Sequence, residues 1–121
     1  MQKFKRVVAA GALAAIVSVC GVALAGSYGT PAKIAELSNF GTTGKNYVVK
    51  GPTPGAGHGC ANTDWTTVIP SATAEQRELM ATTLLSAFLA GKTVQLETAT
   101  TLGAGNCVGG RPVYTTVVII N

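Results

Sequence analysis

Polar and apolar residues alternate cleanly over residues 92–98, with Val94 and Leu96 on one face and Thr93, Gln95 and Glu97 on the other. A period of two marks a strand with one dry and one wet side. Residues 73–91 carry the other period. There Met80, Leu84, Ala87 and Phe88 recur at helical spacing, and Ala81 and Leu85 widen the stripe. Thr73 and Gln76 make a T-x-x-Q capping box, and Glu75 and Glu78 lie in the first turns, where the helix dipole favours negative charge. Gly91 supplies the left-handed residue that closes such a helix, with Lys92 just beyond it. This is the one segment that reads as a helix.

Strand-like runs lie on both sides of it. Residues 33–40, 46–50 and 64–69 precede the helix, and residues 92–98 and 112–120 follow it. Residues 26–30 read as a short polar lead-in and residues 41–45 as a turn. Residues 51–59, GPTPGAGHG, hold too many glycines and prolines for a ladder, and residues 102–110 are a second glycine-rich loop. The last strand is apolar in both registers: Val113, Val117 and Ile119 on one face, Tyr114, Val118 and Ile120 on the other. A small domain needs only one of those faces for its core. Another subunit, or the segment 28–34 of the same chain, is expected to cover the rest, so a homo-oligomer is expected.

The first 25 residues follow a different logic. Lys3, Lys5 and Arg6 precede an apolar run ending in Ala23-Leu24-Ala25, which fits the small-x-small rule for signal peptidase. Cleavage between Ala25 and Gly26 is expected, giving a protein of the periplasm or the exterior with no membrane anchor. An uncleaved anchor and a lipoprotein linked through Cys20 are the other readings; Val19, a bulky residue before that cysteine, opposes the second. Loss of the leader changes the charge. The chain has nine Lys plus Arg against five Asp plus Glu, a net of +4. Three of the cations leave, so six face five and the remainder is +1. The balance gives no argument for a nucleic-acid partner.

Residues 26–121 make one small domain with two cysteines, Cys60 and Cys107. An even count in an exported chain reads as a disulfide. The rival reading, a metal pair, has only remote His58 as a third ligand, at no recognised spacing. No metal or other cofactor is expected. Three strands, a helix and two strands predict a mainly β (α+β) domain. That is the order of a five-stranded oligonucleotide/oligosaccharide-binding (OB) barrel with its helix between strands three and four. An α+β sandwich fits the same string.

The spacing of Cys60, Trp65 and Ile69-Pro70, then a Leu/Ala-rich helix, Ala90-Gly91-Lys92 with Val94, Cys107 with Gly109-Gly110, and an apolar last strand resembles small secreted bacterial proteins of uncharacterised role. The helix-Gly-x-x-Val segment and its later cysteine also resemble B subunits of the subtilase-cytotoxin type, a class of AB5 toxin. The resemblance covers residues 31–121 and implies an OB barrel, a pentameric ring and recognition of cell-surface glycans. It transfers no sugar-binding residue position by position.

Candidate chemistry is sparse. His58 has no acid or nucleophile beside it in sequence, the five acids are scattered, and neither glycine loop has the context of a phosphate loop. No nucleophile–base pair is readable, so an enzyme is not expected. Trp65, the sole tryptophan, reads either as core beside Cys60 or as an aromatic platform for a sugar ring, with Asn62 and Asp64 as polar partners. Arg111 and Tyr114 join them if the cysteines draw the strands together. The expected function is an exported binding module for a carbohydrate or protein receptor. The alternative is an envelope-associated structural protein or an inhibitor of another protein.

Overall fold

The computed structural model describes residues 16–20, 26–39 and 47–121. The strands are β1 (Ile16–Cys20), β2 (Gly26–Tyr28), β3 (Ala32–Lys33), β4 (Glu36–Asn39), β5 (Tyr47–Lys50) and β6 (Thr66–Val68). Helix α1 (Ala74–Ala90) follows, then β7 (Thr93–Ala99), a 3-10 turn (Gly103–Asn106), β8 (Cys107–Val108) and β9 (Arg111–Ile120). The chain is mainly β with this one α-helix among the described residues.

The helix ends where its sequence signals put them. The Thr73 hydroxyl accepts from the Gln76 N–H, and the Gln76 side chain accepts from the Thr73 N–H at 2.8 Å. Gly91 closes the helix at φ 66°, while the N–H groups of Gly91 and Lys92 reach the carbonyls of Phe88 and Ala87. Arg77 fixes the approach to the helix, donating to the carbonyl oxygens of Ala72, Ile69 and Pro70. The buried stripe is narrower than the sequence pattern predicts. Met80, Ala81, Leu84 and Ala87 are buried, whereas Leu85 and Phe88 are 41% and 39% exposed. At 100° per residue those two lie on the flank of a helix that rests on the sheet along one line.

Strand β9 is the axis of the sheet. One of its edges carries β7, antiparallel from Thr93↔Ile120 to Thr98↔Tyr114 with a bulge between Glu97 and Thr98. The opposite edge carries β6, parallel to it at Thr67↔Val113 and Val68↔Tyr114, and further along carries β1, antiparallel. A parallel pair needs a crossover, and α1 with β7 provides it. Beyond β6 come β5 and then β4; outside β7 lie β2 and β3. Alternation along β7 is as the sequence predicts, with Val94 and Leu96 fully buried and Gln95 and Glu97 partly exposed. Strand β9 is buried without a break from Pro112 to Val118, on both faces. Val49, Ile69, Met80, Leu84, Leu96, Val113 and Val117 form the centre of the core.

The predicted strand over 33–40 is split into β3 and β4 by a bend at Ala35, and the predicted lead-in contains β2. The hydrogen-bonded order therefore runs from β2 to β4 as an open mixed sheet, not as a closed ring of five strands. The glycine-rich loop lies against residues 26–30: a Cβ on Gly29 would strike the Thr53 carbonyl, and one on Gly55 would strike the Ser27 carbonyl. The Thr98 hydroxyl bonds the carbonyls of Ser27 and Gly55 together at 3.3 Å each. Close backbone approach is what those glycines permit, and it draws β2 onto β7. Of the expected leader, only β1 lies among the described residues; the cleavage position Ala25 lies outside them.

Candidate functional site

The bridge predicted from the cysteine count is present. Cys60 and Cys107 are joined with Cα atoms 5.7 Å apart. Cys107 begins β8, which folds back on the start of β9 with Cys107↔Pro112 and Val108↔Arg111. The two residues between, Gly109 and Gly110, have φ of 58° and 79°. A two-residue hairpin loop with both central residues left-handed matches the twist of its strands, and glycine adopts it without strain. The turn presents Arg111 back toward the disulfide.

The segment after Cys60 runs along this hairpin. The Asn62 N–H donates to the Gly110 carbonyl at 3.0 Å. Arg111 donates from Nε to Asp64 Oδ1 at 2.9 Å and from its second terminal nitrogen to Asp64 Oδ2 at 3.3 Å. A third bond goes to the Gly109 carbonyl. The guanidinium carbon lies 4.1 Å from the centre of the Trp65 ring. Four predicted site residues, Asn62, Asp64, Trp65 and Arg111, are thus brought together. Such a forked pair fixes the orientation of both side chains, and the planar cation adds an attraction to the indole of about 0.5–1 kcal/mol when exposed.

Tyr114 is not with them. Its ring is buried in the core, its hydroxyl donates to the Tyr47 carbonyl at 3.0 Å, and burial pushes its phenol far above the ordinary value. A ring enclosed in this way offers a ligand no surface. His58 braces the loop, with Nδ1 accepting the Cys60 N–H at 2.8 Å. Asn106 had no signal beyond its place in a glycine-rich loop, yet it ties the two loops together. Its Oδ1 accepts from the Leu102 N–H at 2.9 Å, and its Nδ2 donates to the His58 carbonyl at 3.2 Å. Among the described residues no three His, Cys, Asp or Glu side chains are grouped to hold a metal ion.

Hydrogen bonds from Arg111 hold the Asp64 carboxyl below its ordinary value, and the guanidinium charge acts in the same direction. A depressed carboxyl contributes its stabilisation above the unfolded pKa, near 4, and loses it as pH falls through the lower folded value. Acidification should therefore release Arg111 from Asp64 and change its stacking on Trp65. Because Trp65 is the sole tryptophan, its emission reports this directly. A shift in emission is expected below pH 4 while the far-ultraviolet dichroism is unchanged, and Asp64→Asn should abolish it. An Asp64→Asn protein with the wild-type titration would show that the indole does not sense this pair.

The arrangement is a small surface holding an indole, a cation, a carboxylate and an amide, fixed by a disulfide and a hairpin. Trp65 is half-buried with Arg111 over one face of its ring, and the polar groups around it can hydrogen-bond to hydroxyl or carbonyl groups. Comparison of the chain with protein-family models, curated proteins and solved structures finds no match, so the reading of this surface rests on its own chemistry.

Proposed function

We propose that this chain is an exported, non-enzymatic binding module that recognises a glycan or a cell-surface receptor through Trp65, Asp64, Asn62 and Arg111. The observation that carries the reading is the guanidinium of Arg111 set 4.1 Å over Trp65 while forked to Asp64. Sugars present apolar ring faces edged by hydroxyls, and a held indole flanked by donors and acceptors matches both. The OB-like winding belongs to the same proposal. The two ends of the sheet path, β2 with β3 and β4, belong to one continuous stretch, residues 26–39, which runs from the edge of β7 to the edge of β5. That path winds the open sheet around the core.

Export belongs to the proposal as well. The chain is read as leaving the cytoplasm, for the periplasm or the exterior, with residues 1–25 removed. A Cβ on Gly26 would lie 3.2 Å from Glu97 Oε2, so the ammonium that cleavage creates at Gly26 would have a carboxylate close by. Mass analysis of the exported protein is expected to find Gly26 at its start; a mass that includes residues 1–25 would contradict this.

A glycan array probed with the exported protein tests the binding reading, and retention on a structurally related set of saccharides is expected. One observation favours the alternative, a structural partner or inhibitor of another protein. Leu85, Phe88 and Leu89 leave an apolar patch on the outer flank of α1, with Leu89 76% exposed. An array with no retained glycan, together with a protein partner lost on Leu89→Glu, would favour that reading.

A further inference from the structure

The outer edge of β9 changes its occupant along its length. β6 follows it only to Val68↔Tyr114; the Ile69 N–H makes one more bond, to the Tyr114 carbonyl, and the chain then turns through Pro70 into α1. From Thr116 to Ile120 the edge is filled, among the described residues, by β1 alone: Ile16↔Ile120, Val17↔Ile119, Ser18↔Val118, Val19↔Val117 and Cys20↔Thr116. β1 lies wholly within the segment read as a leader. When that segment leaves, five residues of the central strand lose their partner on this side.

We infer that this edge is a self-association surface, filled in the mature protein by the same five residues of a second copy, antiparallel and centred on Val118. The register seen with β1 allows it. In a pair centred on Val118, Thr116 of each chain faces Ile120 of the other, Val117 faces Ile119, and Val118 faces Val118. Thr116 to Ile120 of the second copy would then stand one for one where Ile16 to Cys20 stand in the structure. Four of the five residues are Val or Ile, the type that pairs best across strands. An unpaired run of this composition in a central strand is a template for another chain unless something covers it.

The geometry also sets the number. An antiparallel pair centred on one residue has a two-fold rotation axis through that residue pair, so each copy uses the same patch and the assembly closes at two. This differs from the five-membered ring that the toxin-subunit resemblance implies, which needs two different patches on each copy. The inference rests on loss of residues 1–25 and is independent of the glycan reading.

Sedimentation of the exported protein at micromolar concentration, with its N-terminus checked by mass, tests it. A species of twice the mature mass is expected. Val118→Lys, which sets two cations face to face on the axis, should give single chains. Val118→Cys should link two copies covalently when treated with oxidised glutathione, because directly opposed strand positions have Cα atoms close enough for a disulfide. Thr116→Cys alone should not, whereas Thr116→Cys mixed with Ile120→Cys should. The cysteine pairs keep the test decisive if the lysine variant does not fold. Cleaved protein that remains a single chain on concentrating, a ring larger than two, or a dimer that Val118→Cys fails to link would each overturn the inference. Exported protein that retains residues 1–25 would overturn it through the leader instead.

Discussion

Replacing Cys60 and Cys107 together by alanine is expected to lower the stability of the protein by roughly 4 kcal/mol. The cysteines are 47 residues apart in sequence. Closing a loop of that length removes about this much chain entropy from the unfolded state, at 25 °C. A domain this small holds about 5–15 kcal/mol in total, so the loss leaves it marginal or unfolded near 37 °C. The effect should also be local. Cys60 is tied to His58 by its N–H, Asn106 holds His58 from the other loop, and Asn62 leans on the hairpin that starts at Cys107. Any folded double variant should therefore show a looser Trp65 environment, seen as a shift in its emission. Urea unfolding of both proteins measures the first effect. A difference under about 1 kcal/mol would mean that the unfolded chain is already held compact by other contacts.

The second large effect lies under the helix. Leu84 is fully buried, in one cluster with Met80, Ala87, Val49, Leu96 and Val117. Leu84→Ala removes buried methyl groups and leaves a cavity that a sheet on one side cannot fill by relaxing. A loss of about 3 kcal/mol is expected, within the usual range of about 2–5 for such changes. Leu89→Ala on the same helix is the control. Its side chain is 76% exposed, and the change should stay within about 0.5 kcal/mol. Equal losses at the two positions would mean that α1 does not rest on the sheet along the stripe described.

These energetic features were the most legible in the sequence. The capping box at Thr73 and Gln76, the αL stop at Gly91 and the alternation from Thr93 to Glu97 are local rules, and local rules act wherever the residues occur. The first strand was less legible because its break at Ala35 and the pairing of β2 depend on residues distant in sequence. Gly29 and Gly55 permit a close approach that only the folded chain defines. Phe88 carried the correct period yet lies on the flank, since periodicity gives a face but not how wide a line the sheet covers. At the site, Asn62, Asp64, Trp65 and Arg111 could be named by residue type and nearness to the cysteines. Their grouping depends on the glycine hairpin at Gly109 and Gly110, which faces Asn62 across 3.0 Å. Tyr114, three residues beyond Arg111, shows the limit of nearness in sequence: strand alternation and burial take its ring inward.

The platform and core roles of the Trp65 indole make opposite demands. An indole that binds can be removed without cost to the fold; an indole that packs cannot. The most direct measurement is therefore a paired one on Trp65→Ala and wild-type protein: retention on the same glycan array, with the melting temperature of each. The variant is expected to lose the retained saccharides and to melt within a few degrees of wild type. Retention unchanged by the substitution, or a variant that no longer folds, would contradict the assignment of Trp65 as the recognition surface.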